Sequence, residues 1–469
     1  FFPDPVYYSK FDFAVKKGVY VGYRAHKMDK TPKIYTDAYN NEHYVWENKN
    51  LSKLQDETAF PDYYDYYRNI IVSTLQSWGP VNDWYEQTTY KRTELTYEVK
   101  EVLDTLIKPG MSDEVKVQKI YNFITTKIRY SYVPFLNTRF VPKWPGNTLS
   151  AGIGDCKDVA TLMITMLRSQ GIESYYTLVK TSQFNHLEAV PSLTFDHVIV
   201  CYILDGKKRY CDLTTNFYPL YVLPEMDNDA VALLIKPGEK ETFHLPNDML
   251  NAEKTNSKYT INASFTGDRD LSVNVQCEYS GTAGGNMREM IFRTAKNKYS
   301  DFISQYFGQD VFENGIYSNI EFLNLEDFSN PLQVKYSLSG IGFADKVSGL
   351  YIIRMPYLEA IKKNQVITET DRSNRVDMEK ILNIYPSEQT INLTFPKGYK
   401  LAEIPQNINH KSAFSMYSVQ FKPTPDGLQI IKKQQFYKNI IEISEFEAFK
   451  ADYLKLLDLD KFKVALLKK

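Results

Sequence analysis

Between residues 97 and 220 the spacing of apolar residues changes from a helical pattern to a strand pattern. In 113–128 apolar side chains recur three or four positions apart, and Pro109-Gly110 separates this helix from an earlier one. A third helix is predicted over 156–170, and alternating strands follow it. The middle of the chain is therefore predicted to combine three helices with a set of strands.

Two of the alternating runs, FDHVIVCYIL and KKRYCDLT, are joined by Asp205-Gly206, which is a strong signal for a two-residue hairpin turn. In that register residue 199 lies opposite residue 212, and His197 becomes a diagonal neighbour of Asp212 on the same face. A three-residue loop would turn Asp212 to the other face of the sheet. The turn thus predicts a contact between an imidazole and a carboxylate, and the loop length tests it.

Cys156 is expected at the start of the third helix, within the sequence Gly-Asp-Cys-Lys-Asp. The first turn of a helix offers unpaired N–H groups and the positive end of the dipole, which stabilise a thiolate and can receive an oxyanion. Asp155 is a candidate N-cap, and Asp158 suits the first turn. From position alone two interpretations stay open: a nucleophile, or a small buried side chain that only packs. A His–Asp hydrogen bond can likewise be purely structural.

Four successive segments resemble the bacterial branch of the transglutaminase-like superfamily: IRY at 128–130, GDCKDVATLMITMLRSQGI at 154–172, FDHVIV at 195–200 and YCDLTTNFYPL at 210–220. GDCKD with its helix is the specific part, and the other segments are weak signals alone. The resemblance implies an α+β fold with a papain-like core of helix and sheet. It also implies that Cys156, His197 and Asp212 form a catalytic triad that needs no cofactor.

The flanks of this core have strand patterns. Residues 1–97 are predicted as mixed strand and loop, with long connections between about 36 and 67 and alternation around IIVSTLQSWGPV. Residues 249–469 alternate repeatedly between turns that contain Gly or Pro-Asp-Gly, with helices near 284–308 and 444–458. By resemblance, a truncated N-terminal β-sandwich domain (1–97) and a C-terminal β-rich domain (249–469) flank the catalytic core (98–248), so antiparallel β-sandwiches are expected on both sides.

Composition excludes two classes of protein. The 56 basic and 57 acidic residues leave no basic excess to neutralise phosphates, so nucleic acid is not an expected partner. No stretch approaches the roughly 18 apolar residues of a membrane span. The 36 Tyr and 27 Phe favour β-rich packing, with an aromatic-lined sugar or peptide groove as the alternative.

Several other residues are candidates for a substrate or metal site. Predicted substrate-lining candidates, with ordinary packing as the alternative, are Trp144, Asp155 and Tyr130. Tyr132 and His186 are weaker candidates, and Cys201 and Cys211 are expected in the core. No metal-ligand cluster is recognised, because the tripeptide 227–229, Asp-Asn-Asp, is too short for a calcium loop.

The cysteines and the N-terminal sequence can indicate the cellular location of a protein. The spacing of Cys156, Cys201, Cys211 and Cys277 suggests neither a disulfide framework nor a zinc site, so a reduced protein is expected. The chain starts with FFPDPVYYS and no initiator Met, so the lack of a signal peptide is uninformative about location. The resemblance implies export to the periplasm or the cell surface, or secretion.

Together these points predict a cysteine-dependent acyl-transfer enzyme. The Cys156 thiolate would attack an amide carbonyl, and His197 would protonate the leaving amine. If water accepts the acyl group, the enzyme is a protease or amidase, and the resemblance favours this hypothesis. If an amine accepts the acyl group, the enzyme is a crosslinking transglutaminase. A different class stays open: a non-catalytic peptide- or glycan-binding protein that retains the fold. The expected partner is a protein, peptide or glycopeptide substrate.

Overall fold

A computed structural model describes residues 4–132, 140–181, 190–266, 269–307, 315–328, 330–342, 344–370 and 372–469. Within these ranges helices and several antiparallel sheets are mixed, which confirms the α+β prediction. The chain divides into two compact units, the first formed by Phe1–Asn216 with Leu220–Pro246 and the second by Phe217–Pro219 with Asn247–Lys469. The finer division into three domains stays a prediction.

The first unit begins with two small antiparallel sheets. Their strands are Val6–Lys16, Gly22–His26, Lys33–Thr36, Asn41–Leu51 and Asn69–Ser73. The long connections predicted between 36 and 67 are partly wrong, because Asn41–Leu51 is the central strand of a three-stranded sheet. Its polar and aromatic residues hide the alternation, but Trp46 is buried against the rings of Phe11 and Tyr23, with centroids 5.8 and 5.2 Å away.

Three of the six described helices of the first unit lie where helical spacing predicts them: Tyr97–Leu106, Asp113–Lys127 and Cys156–Ser169. The other three were not predicted: Tyr63–Tyr66, Gly79–Thr89 and Pro145–Ala151. The helix Gly79–Thr89 corrects the strand pattern read around IIVSTLQSWGPV, since the strand ends at Ser73 and Pro80 occupies the first turn of a helix, where it is well tolerated.

A five-stranded antiparallel sheet forms the centre of the first unit. In spatial order its strands are Lys207–Cys211, His197–Leu204, Ser174–Lys180, Val231–Leu234 and Phe243–His244. The helix Cys156–Ser169, called the cysteine helix below, packs against two of these strands and against two other helices. The sheet thus holds the predicted histidine strand beside the helix that carries Cys156.

The cysteine helix is buried on all sides over residues 156–167, not only along the apolar stripe that its sequence suggests. Burial on every side is tolerated because its polar side chains are satisfied. The Thr161 hydroxyl donates to the Lys157 carbonyl at 2.6 Å and contacts the Tyr176 hydroxyl at 2.8 Å. The polar residues of this helix are therefore part of the interior.

The second unit is built on an eight-stranded sheet, in which the predicted strands of the C-terminal region are found. Its spatial order is Ile316–Leu323, Leu332–Gly342, Asp270–Ser280, Asn256–Phe265, Ser387–Thr394, Gly427–Phe436, Ser415–Thr424 and Ile408–Lys411. The pair Asn256–Phe265 and Ser387–Thr394 is parallel, which corrects the wholly antiparallel pattern. The long connection between them makes a parallel crossover possible.

Helices and smaller sheets complete the second unit. The helices are Gly281–Arg293, Tyr299–Phe307 and Phe446–Leu459, so the helix predicted over 284–308 is two helices. The strands Ala344–Val347, Leu350–Arg354, Lys463–Lys468 and Tyr399–Leu401 form a four-stranded sheet, whose third member follows the last helix and was not foreseen. In the part of the chain that the structure covers, no helix is both long enough and apolar enough to cross a membrane.

Candidate active site

The hairpin turn at Asp205-Gly206 has the predicted length. Leu204 pairs with Lys207 across the turn, and both turn residues have positive φ angles, 51° and 71°. Positive φ at both positions suits the turn type that matches strand twist, which is why Asp-Gly is favoured there. The two-residue loop keeps the register that points residue 212 toward the face of His197.

His197 and Asp212 are in contact, as that register predicts. The His197 Nε2 atom lies 3.1 Å from Asp212 Oδ2, and both side chains are buried. Asp212 Oδ1 accepts the Thr214 N–H at 2.7 Å, and Oδ2 accepts the Thr214 hydroxyl at 3.0 Å. With both oxygens occupied by donors, the carboxylate is fixed as an acceptor toward the imidazole.

Cys156 is the first residue of the cysteine helix, and hydrogen bonding with its thiol is one of the causes that raise the pKa of His197. Because Nε2 of the imidazole is bonded to Asp212, the thiol is assigned to Nδ1. Asp155 is the N-cap: its side chain accepts the Asp158 N–H at 3.2 Å, while the Asp158 side chain accepts the Asp155 N–H at 3.3 Å. This reciprocal cap fixes the helix end that presents the thiol.

The cap is itself supported by charge. The Asp155 carboxylate also accepts a hydrogen bond from the buried ammonium of Lys157, and Asp158 is paired with Lys143 at 2.8 Å. These contacts direct the Asp155 side chain toward the helix end. They give it a structural task, whereas its lining of a substrate site stays a prediction.

Charge and burial act in opposite directions on the two members of the pair. Burial alone would lower the pKa of His197, but the charge of Asp212 and the hydrogen bonds to Asp212 and Cys156 raise it well above its usual value. Burial would raise the pKa of Asp212, but the charge of His197 and hydrogen bonds from His197 and Thr214 lower it. The pair is therefore stable as imidazolium and carboxylate.

A third buried group, Asp227, belongs to this cluster and was missed in the sequence. Its Oδ1 lies 4.0 Å from His197 Nε2. Burial first, and then the charge of Asp212, raise the pKa of Asp227 well above its usual value. Ionised, neither of its oxygens has a donor among the described residues; protonated, it hydrogen-bonds to Asp212. We therefore describe Asp227 as a neutral acid beside the His–Asp pair.

The same three side chains correct the expectation that no metal-ligand cluster exists. One ligand atom from each of His197, Asp212 and Asp227 lies within 4.8 Å of the others, and imidazole with two carboxylates is a common donor set for divalent metals. A metal here would displace the Asp227 proton and occupy the imidazole nitrogen that faces Asp212. Metal binding and a His–Asp hydrogen bond are therefore alternative uses of this cluster. The sequence signal was only the acidic tripeptide before VALLI.

Among the predicted lining residues, Tyr130 lies close enough to the cluster for the charges of Cys156 and Asp212 to act on it. Its strand Arg129–Tyr130 pairs with Ile153–Gly154, just before Asp155. Burial raises the pKa of Tyr130, and the charges of Cys156 and Asp212 raise it further. Its hydroxyl therefore stays protonated and can donate a hydrogen bond near the thiol.

The remaining candidates lie elsewhere or cannot be placed. Trp144 precedes the helix Pro145–Ala151, and the Arg92 guanidinium lies 4.7 Å from its ring centroid. Tyr132 is exposed, and His186 lies outside the described residues. The role of Trp144 in lining the site stays a prediction.

All four cysteines are free and buried, as expected for a reduced protein. Burial raises the pKa of Cys201 to about 12 and that of Cys211 well above its usual value, and it also raises the pKa of Cys277. Cys211 lies in the core, with its sulfur 3.7 Å from that of Met163. Burial is therefore the largest influence on the pKa of each of these three thiols.

Comparison with known proteins gives two family matches. Residues 100–205 match the transglutaminase-like superfamily, and residues 349–466 match a domain of unknown function with a solved structure, DUF3858. None of the proteins with curated descriptions matches the chain.

Solved structures give the fold. A candidate protease from Parabacteroides distasonis is 13% identical, with a TM-score of 0.58, over 99% of this chain and 73% of that one. A candidate cysteine protease from Cytophaga hutchinsonii is also 13% identical, over 52% of this chain and 82% of that one, but its TM-score of 0.22 is too low for inference. With the match over 100–205, the middle of the chain is a region of transglutaminase-like superfamily type, and residues 349–466 are a region of DUF3858 type.

Proposed function

We propose that this protein is a cysteine-dependent acyl-transfer enzyme in which Cys156 is the nucleophile, His197 the base and Asp212 the orienting carboxylate. One observation carries the proposal. A thiol at a helix N-terminus, an imidazole and a carboxylate are connected in that order by hydrogen bonds in a buried cluster. Nucleophile, base and orienting group in this order are the requirement for covalent acyl transfer.

The reaction follows from the positions of the protons. His197 holds on Nδ1 the proton that the Cys156 thiol has given up, and the Cys156 thiolate adds to the carbonyl carbon of an amide. The oxyanion faces the N–H groups of the first helical turn, which have no acceptor within the helix. The imidazolium gives its proton to the leaving amine as the C–N bond breaks, which leaves a thioester. The Nε2–H of His197 stays bonded to Asp212 throughout.

The acceptor decides the overall reaction. We favour water: His197 Nδ1 takes a proton from water, hydroxide adds to the thioester, and the thiolate leaves with a carboxylic acid as product. This makes the enzyme a protease or amidase that acts on a protein, peptide or glycopeptide. An amine in place of water would give a crosslinking transglutaminase. The family resemblance also leads us to propose an exported location, in the periplasm, at the cell surface or secreted.

Turnover of a peptide and glycopeptide library by the wild-type protein and Cys156→Ala tests the proposal. We expect turnover to fall by about 10⁴-fold or more, because the nucleophile of a covalent mechanism is lost. Cys277→Ala, which removes another buried thiol, is the matched control and is expected to keep wild-type turnover. Circular dichroism checks that both variants fold.

Two outcomes would count against the proposal. Equal turnover by Cys156→Ala and the wild type would exclude a cysteine nucleophile. Loss of wild-type activity on addition of EDTA would favour a metal at His197, Asp212 and Asp227 instead. A folded wild-type protein that turns over nothing in the library, but retains peptides or glycans, would favour the non-catalytic binding protein.

A further inference from the structure

The second unit contains a cavity of about 300 Å³ between the end of one helix and the loops that follow the strand Leu350–Arg354. Aromatic side chains supply much of its lining, notably Tyr306, Phe307, Tyr357 and Tyr453. That volume is at the small end of the range for ligand sites. The cavity can therefore hold a small organic group or one side chain of a larger ligand.

Glu359 is the charged side chain that this cavity is built around. Its Oε1 accepts hydrogen bonds from the Tyr259 hydroxyl and the Asn383 amide. Its φ angle is 52°, in the left-handed region that glycine, asparagine and aspartate tolerate best. Glutamate at such a backbone position is unfavourable unless its side chain is used, and strained positions of this kind cluster at ligand sites.

Gln434 gives a second, independent observation. It lines the same cavity, is only 5% exposed, and its Oε1 has no hydrogen-bond donor among the residues that the structure describes. A buried carbonyl oxygen without a donor costs free energy, so such atoms usually mark a place for a missing partner. The carboxylate of Glu359 and the carbonyl of Gln434 are both hydrogen-bond acceptors. A ligand that fits this cavity should therefore be a hydrogen-bond donor.

Two lysines lie near the cavity, Lys432 and Lys362, and neither forms an ion pair with Glu359 among the described residues. The charge of Lys432 acts on Glu359. The Lys432 ammonium, however, is 2.6 Å from Asp460 and 4.3 Å from the ring centroid of Tyr357. Lys362 offers its backbone carbonyl, which accepts the Tyr453 hydroxyl at 2.8 Å. The described groups around the cavity therefore leave the negative charge of Glu359 without a close cation.

We propose that this cavity binds a primary ammonium group on a short aliphatic chain, such as the side chain of a lysine. The ammonium would donate to Glu359 and Gln434, and the chain would pack between the tyrosine rings, which also attract cations. Burial raises the pKa of Glu359, and a bound cation would offset that cost. This inference concerns the second unit and does not rest on acyl transfer at Cys156.

Calorimetric titration of the full chain with n-pentylammonium chloride tests the proposal, with pentan-1-ol as the neutral probe of the same shape. We expect saturable binding of the amine and at least tenfold weaker binding of the alcohol. Glu359→Gln should weaken amine binding at least tenfold, and Gln434→Leu should weaken it severalfold. Glu403→Gln removes one exposed carboxylate from the same unit and should leave binding unchanged.

The proposal is overturned if the folded wild-type protein does not bind the amine, or binds the alcohol equally well. It is also overturned if Glu403→Gln weakens binding as much as Glu359→Gln, because nonspecific charge would then be the cause. Binding of glucose in preference to the amine would identify a sugar site instead. The comparison of two probes on wild-type protein decides the matter even if Glu359→Gln does not fold.

Discussion

The two units each contain a histidine bonded through Nε2 to an aspartate. His197 Nε2 lies 3.1 Å from Asp212 in the first unit, and His410 Nε2 lies 2.6 Å from Asp452 in the second. In the second unit the Ser415 hydroxyl donates to the other oxygen of Asp452 at 2.7 Å. The Ser415 hydroxyl therefore contacts the Asp452 carboxylate and not the imidazole, so His410 cannot take its proton.

The surroundings of the two pairs differ more than the pairs themselves. His197 is buried and hydrogen-bonds with the thiol of Cys156 at a helix N-terminus, whereas the His410 side chain is 22% exposed. A His–Asp pair alone is thus an ordinary structural feature of this protein. The arrangement becomes a candidate catalyst only where a capped helix presents a nucleophile to the other ring nitrogen.

Replacing each histidine by glutamine should give the largest difference in turnover between the two pairs. We expect His197→Gln to lower turnover by about 10⁴-fold or more, because no group remains to take the Cys156 proton. His410→Gln should leave turnover within about twofold, since it only changes a partner of Asp452. Initial rates on the best substrate of the wild type measure both. Similar losses in the two folded variants would show that the comparison has no functional meaning.

Replacing each aspartate by asparagine should give a smaller contrast. In Asp212→Asn the fixed Thr214 N–H keeps the amide oxygen, so the amide N–H₂ faces His197 Nε2 and forces the proton onto Nδ1. His197 then cannot accept from the thiol, and we expect turnover to fall by about 10²–10⁴-fold. Asp452→Asn should cost stability but little turnover. Rates corrected for the folded fraction measure this, and an unchanged rate in Asp212→Asn would contradict the assigned tautomer.

Asp227, the third buried group beside His197 and Asp212, should affect the pH dependence of the free energy of unfolding rather than the rate of turnover. Unfolded, Asp227 ionises near its ordinary pKa of about 3.9. Its pKa in the folded protein is raised well above that by burial and by the charge of Asp212, so folding takes up a proton above about pH 4. The stability contributed by this protonated acid is lost as pH rises toward the raised value, at up to about 1.4 kcal/mol per pH unit.

Asp227→Asn removes this titration and keeps an N–H donor for Asp212. We expect the variant to gain stability over the wild type between pH 5 and pH 7, and the gain to grow with pH. Urea unfolding at pH 5, 6 and 7 measures the difference, with Asp229→Asn as a control for a nearby, partly exposed carboxylate. A gain that does not change with pH would show that Asp227 is ionised in the folded protein.

Local signals in the sequence were sufficient for the His–Asp contact and the capped helix. The Asp205-Gly206 turn determines a register over only a few residues, and Asp155 and Asp158 cap a helix that starts at the next residue. Both depend on neighbours in the chain, so periodicity and turn chemistry predict them. The resemblance added that Cys156 meets His197, which spacing alone does not show.

The features that were missed depend on packing between distant segments. Asp227 is the last residue of a short 3-10 helix without periodicity, and only the folded sheet brings it beside His197. The central strand Asn41–Leu51 has polar and aromatic residues on both faces, so alternation does not reveal it. The cavity around Glu359 likewise joins residues that lie far apart in sequence, and a left-handed glutamate has no sequence signature.

Alkylation of the four cysteines with iodoacetamide at pH 6 to 7, followed by mass spectrometry of each cysteine peptide, tests the central claim most directly. Cys156 differs from the others because it is bonded to His197 and is 4% exposed, whereas Cys201, Cys211 and Cys277 are fully buried with raised pKa values. We predict that Cys156 is modified at least tenfold faster than each of the others, and that His197→Gln removes this advantage. Modification of Cys156 no faster than Cys201, Cys211 and Cys277 would contradict an activated thiolate and with it the proposed triad.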